Sequence, residues 1–185
     1  MHGRDTGKSA REAHWSRRAF LKHGAVVGAG AALAPWSALA DTHAGKLPTQ
    51  LLEDSEFVYI SPLKSDGNES SCHGEVWYGW LDDSVVINTA PGTWKGRALA
   101  KGLDRAKVWV GNHGRWKGLL GKNEAFRKAP FFEAKVTSVE GDPALLNRLL
   151  ALYETKYPAE IADWRDRMRR GYETGERLLL RYAPV

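Results

Sequence analysis

The chain has 185 residues, with 27 Lys or Arg against 22 Asp or Glu, a net charge of +5 and a pI near 9.3. Residues 1–40 carry six basic and two acidic side chains, so they hold +4 of that charge and leave +1 for residues 41–185. A charge of +1 gives no basis for nucleic-acid binding. Residues 41–185 suffice for one domain with its own core, and the single cysteine, Cys72, excludes an internal disulfide.

Residues 1–40 have the pattern of an export signal. SRRAFLK, Ser16–Lys22, places two adjacent arginines before an uncharged, Ala- and Gly-rich run, His23–Leu39. The run closes with Ala-Leu-Ala, the small-x-small pattern that signal peptidase cleaves. We therefore predict a twin-arginine signal peptide, with a mature chain that begins at Asp41. The alternative is a transmembrane anchor, since the run is about the minimum length for a bilayer, but its glycines and Pro35 favour cleavage.

This route carries folded proteins, so the translocation machinery is a predicted partner and the periplasm the predicted location. Every later apolar run is short and interrupted by charge, so we expect no stable membrane insertion of the mature protein. A cofactor loaded in the cytoplasm would explain export in the folded state.

The mature chain begins with a short predicted helix, Pro48–Asp54, and continues with three predicted antiparallel strands. Phe57–Ile60 is a compact run of β-forming residues, and Asp66-Gly67 is a strong hairpin signal. The second strand covers Val76–Trp80 and the third covers Val85–Ile87, with the Asp-Asp turn between them.

A short helix, capped by Thr93, is predicted to end at Gly102. The segments RAKVWVGNHG and FFEAKVTSVEG are predicted as the fourth and fifth strands, and the Gly- and Lys-rich stretch between them as a loop.

Asp142-Pro143 is a typical helix start, and leucines and tyrosines recur every fourth residue up to Tyr157. A second helix follows Pro158, and RLLLRYAP is the closing strand. The fold class is mainly β with helices, a six-stranded antiparallel split β-barrel with a helical hairpin before the last strand.

The segment INTAPGTWKGRALAKG is the strongest candidate binding site, because a strand, a Pro-Gly turn and the start of a helix follow one another there. Backbone N–H groups at a helix start attract anions, and hydroxyl, ammonium and guanidinium groups strengthen the attraction. The segment predicts a phosphate site, and the alternative is a solvated basic helix that packs through its apolar side chains. The candidate residues are Asn88, Thr89, Trp94, Lys95 and Arg97.

Trp77 and Tyr78, on the preceding strand, offer planes on which a heteroaromatic ligand could stack. Adjacent strand residues face opposite sides, so both reach one pocket only if the strand bulges. The alternative is core packing for one and dimer contact for the other.

The sequence contains no metal-ligand spacing, no nucleophile elbow and no glycine-rich phosphate loop. We therefore predict no metal site, and no catalytic proton donor can be named. That pattern fits an enzyme whose cofactor supplies the chemistry.

From about Glu53 to the C-terminus the chain resembles the split-barrel flavin-binding superfamily, the pyridoxamine-phosphate-oxidase-like group. The resemblance rests on the hairpins FVYISPLKSDG and EVWYGWLDDSVVINT, the unit TWKGRALAKGLDRAKVWV, and the closing YETKYP and RLLLRYAP. The superfamily's basic pair is present as KGRAL, whereas its downstream Arg-Asp-Pro turn appears only as LDRA.

The resemblance implies a domain over residues 41–185 that binds FMN, or a deazaflavin or haem in other branches, across a homodimer interface. It assigns phosphate contacts to Asn88, Thr89, Trp94, Lys95 and Arg97, ring contacts to Trp77 and Tyr78, and weaker roles to Gly111 and Asn112.

The leading hypothesis is an exported flavin-dependent oxidoreductase that acts on a small-molecule substrate. One alternative is a non-catalytic periplasmic binding module for haem, a small ligand or a protein partner, with the basic loop Arg115–Lys128 as its contact surface. Another is a deazaflavin-dependent reductase.

Overall fold

The computed structural model of the protein describes residues 47–115, 117–118 and 121–185, so the predicted signal peptide lies outside the described residues. The strands in this part of the chain are β1 (Phe57–Pro62), β2 (Gly74–Trp77), β3 (Gly79–Leu81), β4 (Ser84–Thr89), β5 (Arg105–Val110), β6 (Lys117–Gly118), β7 (Gly121–Lys122), β8 (Phe131–Val139) and β9 (Leu178–Pro184). The helices are α1 (Thr49–Asp54), α2 (Trp94–Ala100), α3 (Pro143–Lys156) and α4 (Pro158–Glu173), with a 3-10 helix at Ala125–Lys128.

Seven strands form one antiparallel sheet in the order β2-β1-β5-β8-β9-β4-β3. The two edge strands, β2 and β3, are consecutive in the chain and are separated only by Tyr78. One stretch of chain therefore borders both edges and nearly closes the sheet into a barrel. This confirms the predicted class of a mainly antiparallel β-barrel with helices.

The strand count differs from the predicted six for two local reasons. The predicted second strand breaks at Tyr78, whose backbone N–H donates to the Tyr157 hydroxyl (3.3 Å) instead of to a neighbouring strand. In addition, the stretch predicted as a loop contains the β6–β7 pair and the 3-10 helix.

Alternate strand residues divide between two apolar layers. Val58, Val85 and Ile87 are among the fully buried residues of the barrel interior. Val86 and Leu179 point outward and pack under the α3–α4 hairpin. That hairpin contributes a buried stripe of Leu145, Leu146, Leu149, Leu150, Tyr153, Ile161 and Met168. Burial of each such side chain stabilises the fold by about 1.5–3 kcal/mol.

Helix α3 begins as the sequence predicts. The Asp142 carboxylate accepts a hydrogen bond from the Leu145 N–H (2.8 Å), and Pro143 occupies the first turn. No helix within the described ranges is long and apolar enough to cross a membrane.

The turn between β4 and α2 is tightly packed. Thr93 caps α2 by accepting from the Gly96 N–H (3.4 Å), and its own hydroxyl donates to the Ala90 carbonyl (2.9 Å). A Cβ on Gly96 would lie 2.4 Å from the Pro91 carbonyl oxygen, a backbone atom that cannot easily move. Glycine at this position lets α2 start directly beside the turn.

Candidate functional site

The end of β4 presents two polar residues on opposite faces of the sheet. Thr89 is buried, and its hydroxyl lies 3.0 Å from that of Thr93, so the strand end and the helix cap are tied together. Asn88 shares the outer face with Val86, beneath the helical hairpin. Its position beside β9 brings it next to Arg177, because the β4–β9 register pairs Thr89 with Leu178.

Arg177 is anchored on Asn88 by two hydrogen bonds. Its Nε donates to the Asn88 side-chain oxygen, and its Nη2 donates to the Asn88 carbonyl oxygen (3.4 Å). The aliphatic part of Arg177 lies on Gly171 of α4, where a Cβ would come within 2.6 Å of its Cγ. The guanidinium also lies 5.9 Å from the centre of the Trp164 ring.

Lys95 lies in the first turn of α2, within range of the positive charge of Arg177. Burial, and then repulsion by Arg177, lower the pKa of Lys95 to about 8. Burial also lowers the pKa of Arg177. Among the described residues, no carboxylate oxygen lies within 4.0 Å of either cation. The two positive charges are therefore partly removed from water without a counter-charge.

The side-chain amide of Asn88 has a hydrogen-bond donor that is not used within the described residues. The Asn88 side-chain nitrogen is buried and donates no hydrogen bond to any described residue. An unsatisfied buried donor costs about 1–3 kcal/mol. Two uncompensated cations and one unused donor are the groups that a phosphate would satisfy, since a phosphate brings negative charge and several acceptor oxygens.

The structure groups some of the predicted phosphate residues and separates others. Asn88 accepts a hydrogen bond from Arg177, and Lys95 is near enough to Arg177 to be repelled by its charge. Thr89 lies on the opposite face of the sheet, where its hydroxyl meets that of the Thr93 cap. Arg97 does not join Lys95, because positions two apart on a helix point in widely different directions. Arg97 is exposed and donates to the Gly92 carbonyl.

Trp94 is next to Lys95 and shares a groove with Arg97. Its ring centre is 4.5 Å from the Lys95 Nζ, and it also lines a groove that includes Arg97.

Tyr78 and Trp77, the two residues predicted to contact the flavin ring, both make contacts within the protein. Tyr78 is fully buried, and its hydroxyl donates to the Leu52 carbonyl (2.6 Å), so its ring has no open face for a ligand. Trp77 stacks on Tyr157 at 4.4 Å and meets Tyr153 edge-on. Both therefore have packing roles within this chain.

The weaker candidates after β5 have local structural roles. Gly111 has a φ of +140°, and a Cβ there would lie 2.5 Å from His113. Asn112 is exposed and donates to the Glu56 carboxylate (2.8 Å).

Sequence reasoning missed Arg177. It belongs to no local motif, and its place beside Asn88 follows from the pairing of β4 with the last strand. The available signal was an arginine immediately before a strand with three consecutive leucines.

No known family pattern matches the chain, and no curated protein matches it in sequence. Solved structures with a similar chain path include the heme storage protein HutZ from Vibrio cholerae, 12% identical, which matches over 74% of this chain and 87% of its own with a TM-score of 0.49. Another is an FAD-binding protein from Mesorhizobium loti, 13% identical over 74% of this chain and 86% of its own, with a TM-score of 0.47.

Proposed function

We propose that this protein binds FMN, with the phosphate held by Lys95, Arg177 and Asn88. The observation that carries the proposal is a pair of half-buried cations, Lys95 and Arg177. No carboxylate oxygen of the described residues lies within 4.0 Å of either one. Charges withdrawn from water are normally paired, and a bound dianion would supply the missing charge.

A phosphate monoester suits these three groups better than a simple carboxylate. It carries about −1.5 to −2 charges at neutral pH and three strong acceptor oxygens. In the proposed complex, the Lys95 ammonium, the Arg177 guanidinium and the Asn88 amide would each donate to a separate oxygen. The Trp164 indole lies next to Arg177 and provides a flat apolar surface for the rest of the ligand.

When bound, a flavin would supply oxidation and reduction of a small-molecule substrate. The residues of this chain would contribute binding and orientation: Lys95 and Arg177 fix the phosphate end, and Asn88 sets the direction of the Arg177 guanidinium. We also propose that the protein is exported in the folded state to the periplasm and acts as a homodimer.

The proposal is tested by titrating the purified protein with FMN and with riboflavin, which lacks the phosphate. Lys95→Ala and Arg177→Ala should each weaken FMN binding about 10- to 100-fold, since a hydrogen bond to a charged group contributes about 1.5–3 kcal/mol. Riboflavin binding should change little. The matched control is Lys101→Ala, because Lys101 is an exposed lysine at the C-terminal end of the same helix.

Equal affinity of the wild-type protein for FMN and riboflavin would refute the phosphate site. An absorption spectrum of the natively purified protein identifies the cofactor. A haem or deazaflavin spectrum would replace FMN, and a colourless protein that takes up no flavin would move the function to a binding role.

A further inference from the structure

A groove of about 280 Å³ lies beside α2, and Lys95 is not among the residues that line it. The helix contributes Trp94, Arg97 and Ala98, which share one face because they are spaced three and four residues from one another or adjacent, and the C-cap residue Lys101 follows on that side. The opposite wall comes from the end of β1 and the connection to β2, including Ser70 and Cys72. None of the lining residues is acidic.

The two cations of this groove are not neutralised by the described part of the chain. Arg97 bonds to the Gly92 carbonyl oxygen, a neutral group, and no ion pair within the described residues involves Arg97 or Lys101. Other exposed cations of the barrel do have such partners: Lys64 with Asp66, Arg105 with Glu133 and Lys135 with Asp104. The groove is therefore a local region of positive potential.

The shape of the groove limits what it can hold. Its volume of about 280 Å³ is just below the usual range of ligand pockets, about 300–1,000 Å³, which suits a molecule the size of a substituted benzene ring. The half-buried Trp94 indole supplies an aromatic wall and packs beside Gly74. Arg97 and Lys101 lie about one helical turn apart, close enough to act together on one anionic group.

We propose that this groove is a binding site for a small aromatic carboxylate, with the ring against Trp94 and the carboxylate between Arg97 and Lys101. The site is separate from the proposed FMN phosphate site, because the two use different cations. The aromatic carboxylate bound there would be a second ligand beside FMN, and it could be the substrate.

Cys72 offers a specific reporter for the proposal, because it is exposed, lines the groove and is the chain's only cysteine. Its thiolate attacks one sulfur of an aromatic disulfide and forms a mixed disulfide, and the other half leaves as a thiolate or thione that is measured by its absorbance. We would compare dithiobis(nitrobenzoate), an aromatic disulfide with two carboxylates, with the uncharged dithiodipyridine. In the wild-type protein the rate with the anionic reagent should saturate with concentration, since the reagent binds before it reacts.

The variant Arg97→Ala/Lys101→Ala should lower the ratio of the two rate constants, anionic to neutral, at least about fivefold. The control Arg165→Ala removes an exposed arginine that pairs with Glu154 on the α3–α4 hairpin, and it should leave the ratio unchanged. Nitrobenzoate should protect Cys72 from dithiodipyridine in the wild-type protein and not in the double variant. Both substituted residues are exposed, so the fold should persist, which circular dichroism checks.

An unchanged ratio in the double variant, or no protection by nitrobenzoate, would overturn the proposal. FMN titration of the same variant separates the two sites: retained FMN affinity with a lowered ratio supports both proposals. Failure of the groove test with normal FMN binding would reject only the groove.

Discussion

Replacement of Lys95 by methionine should stabilise the protein and weaken FMN binding at the same time. Methionine has a similar length and no charge, so it can occupy the half-buried position without the cost that the ammonium incurs. A residue kept mainly for packing would show the opposite effect on stability. The combination of a stability gain with a binding loss is expected of a binding residue whose charge is uncompensated in the free protein.

The magnitude follows from the lowered pKa. A fall from the ordinary 10.5 to about 8 corresponds to about 3 kcal/mol, the cost of keeping Lys95 charged in the folded protein at neutral pH. Partial exposure to water reduces this cost, so we expect Lys95→Met to raise the free energy of unfolding by about 1–3 kcal/mol. FMN affinity should fall about 10- to 100-fold, through the loss of one charged hydrogen bond.

The assay is urea unfolding of the flavin-free protein at several pH values. Because the folded-state pKa of Lys95 is lower than the unfolded-state value, its cost is fully present below pH 8 and disappears as the pH rises to about 10.5. The gain from Lys95→Met should therefore be present at pH 7 and vanish at high pH. Lys101→Met is the control, with a change within about 0.5 kcal/mol. A loss of stability at pH 7, or unchanged FMN affinity, would refute the reasoning.

Three further outcomes are expected. FMN affinity should decrease above about pH 8, where Lys95 of the FMN-free protein loses its proton. It should also decrease below about pH 6, where a phosphate monoester gains a proton. An FMN affinity that does not change with pH would argue against a charged Lys95. Gly171→Ala should displace Arg177, because the new Cβ would lie 2.6 Å from its Cγ, and FMN affinity should drop about tenfold while circular dichroism shows the helix retained. Tyr78→Phe removes the hydrogen bond to the Leu52 carbonyl and should lower the free energy of unfolding, measured in urea, by about 1–2 kcal/mol. A simultaneous loss of FMN affinity would indicate that Tyr78 also contributes to FMN binding.

The fold was predictable where local chemistry determines it. The hairpin at Asp66-Gly67 needs a residue in the left-handed region, and Gly67 has a φ of +79°. The helical hairpin followed from its capping residue, its prolines and its regular leucine spacing. The break at Tyr78 was not predictable, since it depends on a bond to Tyr157, far along the chain. The strands β6 and β7, of two residues each, are too short to produce an alternating pattern.

The site was predictable where neighbouring residues in the sequence form it, and not where distant residues meet. The strand–turn–helix segment identified Asn88 and Lys95 from neighbouring residues alone. Helical geometry could have separated Arg97 from Lys95, because the sequence already placed both on one helix. Arg177 required the register of β4 with β9, which no short motif encodes.

The uncompensated cations also bear on the proposed export of a folded protein. In the FMN-free protein, the half-buried charge of Lys95 and the unused hydrogen-bond donor of Asn88 both oppose folding. A ligand that binds only the folded state stabilises it by an amount that grows with the ratio of its concentration to its dissociation constant, about 2.7 kcal/mol at a hundredfold ratio. FMN binding in the cytoplasm would thus favour the folded state before translocation. In the proposed function, the phosphate site and the folded-state export route therefore support each other, because the same ligand that completes the site also stabilises the form that is exported.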